Sequence, residues 1–298
     1  MSLTSFLKDR EVKSLFKEYF KKPRMSTKNE PMAPPLTRHY PLVGTAFDYL
    51  MRFYLEYLNK NAISKHWVAE VSGIIVDKDR AHFLRLPPEK RSIVEDMRLQ
   101  DESLYKQVDK IISEAKTAHS NFIKTGKLTY DVLKSVLLLA QVDLIYRAGI
   151  VDENLGTVDD KDIEDLKNLF SLIDPETFKA KKTCLLNPTF GFASQLVGGA
   201  DADIVIDNTL IDIKTTKKLE FKLEYFHQLI GYYTLYKLAG FDAKPDYSDL
   251  EKLGVYFSRY GYLHVINIKD VIDEETFTAF QYWFAEKAEE VFGSLELQ

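Results

Sequence analysis

Gly198-Gly199-Ala200-Asp201-Ala202-Asp203-Ile204-Val205-Ile206-Asp207-Asn208-Thr209-Leu210-Ile211-Asp212-Ile213-Lys214-Thr215 is the stretch on which the fold turns. Its two apolar, β-branched runs meet at Asp207-Asn208, a pair that tolerates the positive φ of a two-residue turn, and so predict a β-hairpin. With those two residues as the loop, Ile206 faces Thr209, Asp203 faces Asp212 and Asp201 faces Lys214. Opposed residues share a face of a sheet, and side chains alternate along each strand. Asp201, Asp203, Asp212 and Lys214 then project from one side, and Ile204, Ile206, Ile211 and Ile213 from the other, which can be buried.

Three acids and a lysine on one face repel and destabilise a hairpin unless something neutralises them. A divalent cation held by oxygen ligands would do so, with Lys214 beside a metal-bound water. The plainer reading is a solvated hairpin face with incidental charges. It leaves the two glycines before the acids and the helix pattern after them without a purpose.

The 298 residues are 45% hydrophobic and 29% charged, which fits a soluble globular chain of one large or two smaller domains. A net charge of −5 and a sequence pI near 5.8 exclude a generally basic nucleic-acid binder, so any polyanion must be gripped locally. The one cysteine, Cys184, excludes a disulfide within the chain and any cysteine-based zinc or iron-sulfur site, and reads as a small buried or half-buried thiol. No run of 18 apolar residues and no apolar signal region appear, so no membrane partner and a cytoplasmic location are expected.

Outward from the hairpin, Lys217, Lys218 and Lys222 follow the second strand and supply local positive charge. A helix is expected over 219–238, stopped near Ala239-Gly240. Gln228 and Tyr232, four apart, share one of its faces and can look back at the hairpin, while His227 reads as a surface residue. A second hairpin spans 254–258 and 263–268 around Arg259-Tyr260-Gly261, and an amphipathic helix closes the chain over 273–292. Upstream, a strand is expected over 182–186, ended by Asn187-Pro188, and another from near Ser194 into the glycines. Residues 61–180 read as a helical insertion, with helices over 102–125, 128–147 and 159–172. Before it lie a helix at 42–58, opened by Gly44-Thr45 and carrying Asp48, and an N-terminal part, 1–41. That part combines a basic helix (Phe6, Val12, Leu15, Phe16, Phe20) with a proline-rich extended segment. There is no internal repeat.

Asp203 with Asp212-Ile213-Lys214 resembles the acid, variable gap, acid-x-lysine pattern of the PD-(D/E)xK nucleases, most closely the RecB-like and phage-exonuclease-type members. Gln228-Leu229-Ile230-Gly231-Tyr232 is similar to their Gln-x-x-x-Tyr motif. The resemblance covers roughly 42–60 and 181–268. It implies an α/β, restriction-endonuclease-like core, a mixed sheet flanked by helices, in a nuclease-like domain over 42–298 that carries the large helical insertion. It implies Mg²⁺ or Mn²⁺ held by Asp203, Asp212 and the carbonyl of Ile213, with Asp201 a rival to Asp203. Lys214 would position or deprotonate the attacking water and offset charge, and Gln228 and Tyr232 would contact that water or the DNA.

The Gly44-Thr45 turn resembles the family turn that precedes a histidine ligand, and here Asp48 stands in that place. A carboxylate suits a hard cation, which would keep Asp48 a ligand. Asp48 also reads as an ordinary first-turn acid favoured by the helix dipole.

The implied function is metal-dependent (exo)nucleolytic hydrolysis of phosphodiester bonds in DNA, or RNA, in repair, recombination, phage or defence. A homo-oligomer, or a helicase or recombination protein, would be the partner. The alternative is a nucleic-acid-binding protein that keeps a nuclease-like fold without turnover. A phosphatase lacks its motifs, and no P-loop supports an ATP-driven motor in this chain. Exonuclease against endonuclease, and single against double strand, stay open.

Overall fold

The computed structural model describes residues 2–25, 30–76 and 102–293. The chain divides into two compact units, one formed by Met1–Pro31, Asn61–Lys65 and Glu176–Gln298, the other by Met32–Lys60 and His66–Pro175.

The first unit is α/β, an open, mixed six-stranded sheet flanked by helices. In chain order it comprises α1 (Leu3–Phe6), α2 (Arg10–Tyr19), β1 (Ala62–Ser64), α8 (Pro175–Phe178), β2 (Cys184–Leu186), α9 (Gly191–Leu196), β3 (Ile204–Ile206), β4 (Thr209–Lys214), α10 (Leu223–Ala239), β5 (Lys252–Phe257), β6 (Tyr262–Asn267) and α11 (Glu274–Phe292). The strands lie side by side in chain order. β1 and β2 run parallel, as do β4 and β5, whereas β2 with β3, β3 with β4 and β5 with β6 are antiparallel. β1, β2, β4 and β5 therefore all end at one edge of the sheet, the edge where open α/β sheets gather ligands.

The hairpin has the register the sequence sets, Ile206 with Thr209 and Ile204 with Ile211, and Asp207 takes φ 48° in the turn. Its two faces are not divided into polar and apolar. Ile204, Val205, Leu210 and Ile211 are all buried. Leu185, Val205, Leu210, Leu253 and Val255 share the face of Asp212 and form the main core with α1, α2, α9, α10 and α11. On the opposite face Tyr256 meets Phe178 edge-on at 4.9 Å. The acids thus stand at the end of a core-forming face, not on a solvated one.

Other departures have simple causes. The region around Ser194 forms the short helix α9 and not a strand, because Ser194 Oγ accepts the Phe190 N–H and donates to the Ala200 carbonyl, while Ala193 packs into the core. β1, three residues inside the stretch expected to be helical, pairs with β2. The N-terminal helices are no appendage: Leu3, Phe6, Val12, Phe16 and Phe20 enter the core, with Phe16 edge-on to Phe280 at 5.1 Å. Residues of the helix at 42–58 cluster with the helical unit and not with the sheet, so the compact units cut across the boundaries drawn from sequence.

His227, expected at the surface, is 3% exposed and packs against Phe16 at 5.2 Å. Its Nε2 has no hydrogen-bond partner among the described residues. Burial, with Lys17 and Lys13 assisting and Glu224 opposing, pushes the imidazole down to about 4. The folded chain keeps it neutral where the unfolded chain takes up a proton, so stability falls as pH drops from about 6.5 to about 4, by about 3 kcal/mol from this group. Urea melts of His227→Phe should show a flatter loss of stability across that window than the parent, and parallel profiles would contradict the assignment.

The helical unit contains α3 (Tyr40–Leu58), α4 (Val68–Val76), α5 (Glu102–Thr125), α6 (Tyr130–Ala148) and α7 (Asp160–Ser171). α6 is buried on most sides, is capped by Thr129 Oγ on the Val132 N–H, and ends at Gly149 with φ 68°. A polar network runs through this unit. Tyr49 donates to Asp143 at 2.6 Å, Arg147 reaches Asp143 at 3.1 Å, and Arg52 pairs with Asp48 at 2.6 Å. Among the described residues, no helix is long and apolar enough to cross a membrane.

Candidate active site

β3 begins only at Ile204, so the outward N–H of Ile213 finds no ladder partner on that side, and the side chain of Asp203 takes it: Oδ2 accepts that N–H at 2.6 Å. The register, continued by one residue, sets Asp203 opposite Asp212. Asp201 forms an isolated antiparallel bridge with Thr189, outside the paired residues of β3 and β4.

Asp212 is 1% exposed, lies beside Val255 in the parallel pair, and is ion-paired through Oδ2 with Lys214 Nζ at 2.7 Å. Burial works against the charge of Lys214, but Asp212 and then Asp203 more than offset it, so the ammonium is raised above its ordinary value and charged at neutral pH. Lys214, the last residue of β4, also donates to Gln228 Oε1 at 3.0 Å. Gln228 Nε2 in turn donates to the Tyr232 hydroxyl at 2.8 Å. The ammonium can only donate, so the lysine bond fixes the amide oxygen toward Lys214 and leaves the amide nitrogen to the tyrosine.

α10 begins at Leu223, four residues later than its apolar pattern suggests, with Lys222 at its N-cap. Tyr232 is 5% exposed, and its ring stacks on Phe190 at 5.6 Å. Burial, and the carboxylates of Asp212, Asp203 and Asp201, push its phenol well above the ordinary value. Tyr232 therefore supports Gln228 from inside the unit and presents no ring to a ligand. Lys217, Lys218 and Lys222 are exposed, and the loop carrying the first two is tied down by Tyr260 Oη on the Lys217 carbonyl at 2.6 Å and by Ser258 Oγ on Thr215 Oγ1 at 2.9 Å.

One polar cluster at this edge was not read from sequence. Lys65, just past β1, bonds Thr189 Oγ1 and reaches Asp242 at 3.1 Å, and Asp242 also accepts from Thr189. Its members are far apart in the chain, and only the parallel β1–β2 pairing assembles them.

Asp48 belongs to the helical unit, where one oxygen pairs with Arg52 and Oδ1 is buried with no hydrogen-bond partner among the described residues. The Arg52 side chain is 4% exposed and lies over the Tyr49 ring at 4.3 Å. Asp48→Ala would leave that guanidinium buried without its nearest counter-charge, so thermal melts should show a loss of about 3 kcal/mol. A variant as stable as the parent would contradict this.

Among the described residues, no group of three or more His, Cys, Asp and Glu side chains is placed to hold a metal ion. The donors at the hairpin are the Asp203 and Asp212 carboxylates and the Ile213 carbonyl. These are hard oxygen ligands that fit Mg²⁺ or Mn²⁺ in kind, since Mg²⁺ commonly takes one or two carboxylates and completes its shell with water and substrate phosphate. Comparisons of the chain with protein-family models, with curated proteins and with solved structures find no match.

Proposed function

We propose that this chain is a nuclease of the PD-(D/E)xK kind, with a restriction-endonuclease-like core, that hydrolyses phosphodiester bonds in DNA with Mg²⁺ or Mn²⁺. The observation that carries the reading is the continuous chain of contacts from the Asp203–Ile213 bond and the Asp212–Lys214 ion pair through Gln228 to Tyr232. Distant residues of a hairpin and a helix converge on the edge where parallel strands end, in the combination that phosphodiester hydrolysis uses.

When bound, the metal would be held by Asp203, Asp212 and the Ile213 carbonyl, and would supply Lewis-acid activation of a phosphate oxygen and a water. Lys214 offers a fixed positive charge where negative charge grows on the phosphate, an electrostatic role that a preorganised site performs well. Gln228 fixes the ammonium, and Tyr232 fixes Gln228. The exposed Lys217, Lys218 and Lys222 supply the phosphate grip that the acidic total charge denies.

Purified protein with Mn²⁺ on linear, circular and single-stranded DNA tests the proposal. Release of nucleotides that stops with a chelator is expected. Binding of DNA with no hydrolysis of any form would favour a second reading, a non-catalytic binder. The specific observation behind that reading is that Lys214 already neutralises Asp212, as a purely structural ion pair would.

A further inference from the structure

Tyr225 lies in the first turn of α10, three and seven residues before Gln228 and Tyr232, and so on the same helix face. Its ring is partly exposed and lies near two ammonium groups, Lys214 Nζ at 5.2 Å and Lys222 Nζ at 5.6 Å from the centroid. One of these belongs to the ion pair at the heart of the site. The other is exposed at the helix entrance. The hydroxyl of Tyr225 makes no hydrogen bond to another described residue, so whatever the side chain does, the ring does it.

An aromatic face flanked by two cations already has its cation–π partners. What complements the set is a ligand that brings an anion and a π-face together, as one nucleotide does with its phosphate and base. From these contacts we infer that Tyr225 is the platform on which the base next to the reacting phosphate stacks, and that the substrate presents that base unpaired, as a single strand or a frayed end. This rests on the nuclease reading for the identity of the reacting phosphate. Within a duplex both faces of a base are covered by its neighbours, and reaching it costs unstacking. A single strand offers the face at no such cost, and stacking on aromatic side chains is how single strands are held without sequence preference.

The ring's closeness to Lys214 limits the effect to the nucleotide at the cut. Lys22, whose Nζ lies 5.0 Å from the Phe221 ring, adds charge from the N-terminal segment near the same loop.

The test pairs variants with substrates. Rates of Mn²⁺-dependent hydrolysis are measured on a single strand, on the same strand carrying a run of abasic positions, and on a blunt duplex. Affinities for the three are measured on an Asp212→Asn background, where no cleavage intervenes. Tyr225→Leu is expected to weaken binding and kcat/KM on the intact single strand by on the order of 10- to 100-fold. Tyr225→Phe should stay within about twofold of the parent, as the ring is retained. Removing the bases should cost the parent the same factor and cost Tyr225→Leu nothing further.

A Tyr225→Leu protein equal to the parent on single strands, or one that still loses affinity when bases are removed, would overturn the inference while leaving hydrolysis intact. If the parent hydrolyses nothing, the nuclease reading falls and the binding arm still decides. Base-dependent binding that vanishes in Tyr225→Leu keeps the platform, and base-independent binding removes it.

Discussion

Asp212→Asn is expected to fold and to lose Mn²⁺-dependent DNA hydrolysis by on the order of a thousandfold or more. Asn keeps the shape of a side chain that is 1% exposed and packed beside Val255, so no cavity opens. The ammonium of Lys214 retains Gln228 and the field of Asp203, so no isolated buried charge is created. What disappears is the negative charge at the one position where a carboxylate faces both Asp203 and Lys214. The stability cost should stay at about 2 kcal/mol, the scale of one lost charge-assisted hydrogen bond. Melting curves and nucleotide release, read on the same preparation, separate the two effects. Full activity in this variant would sink the assignment of the site.

Lys214→Met should behave differently, because it removes the cation and leaves the acids. Asp203 and Asp212 would then face each other with no positive charge between them, and Asp212 is buried. Activity should fall by on the order of 100- to 1,000-fold, as when a preorganised charge is taken from a transition state. Without added divalent metal the variant should also be less stable at neutral pH by about 3 kcal/mol.

The pH dependence of that loss has a definite sign. Two unneutralised carboxylates raise the proton affinity of the pair above that of the unfolded chain, so the folded variant binds the extra proton first and regains stability as pH falls. Added Mn²⁺ should narrow the gap at neutral pH by binding only the folded form. A Lys214→Met protein as stable as the parent at pH 8 without metal would show that the ion pair carries little of the site's electrostatics.

The hairpin was legible because its turn chemistry and register follow from local sequence alone: Asp207-Asn208 fixes the loop and the pairing follows. Helix boundaries marked by caps were legible too, at Thr129, Asp159 and Asp273, each of which accepts a backbone N–H of the first turn. The shared face of Gln228 and Tyr232 follows from helix geometry, and the bond between their side chains has the same origin.

Long-range packing was not legible. That His227 would be buried depends on where α2 lands, which no local pattern states. Three-residue β1 carries too little periodicity to be told from a loop, although it brings Lys65 to Thr189. The polar-face reading of the hairpin overlooked Val205 and Leu210, which alternate onto the same side as the acids and were present in the sequence all along. The Asp48–Arg52 pair was readable as an acid and an arginine four apart on one helix, a spacing that favours an ion pair.

The central claim, that Asp203 and Asp212 form the divalent-metal site of a nuclease, is tested most directly by crystals of the protein soaked in Mn²⁺ and measured at the manganese absorption edge. An anomalous peak within about 2.0–2.6 Å of a carboxylate oxygen from each of Asp203 and Asp212 and of the Ile213 carbonyl, absent from Asp212→Asn crystals, is the predicted result. No peak at the hairpin, or one that persists unchanged in Asp212→Asn, would contradict it.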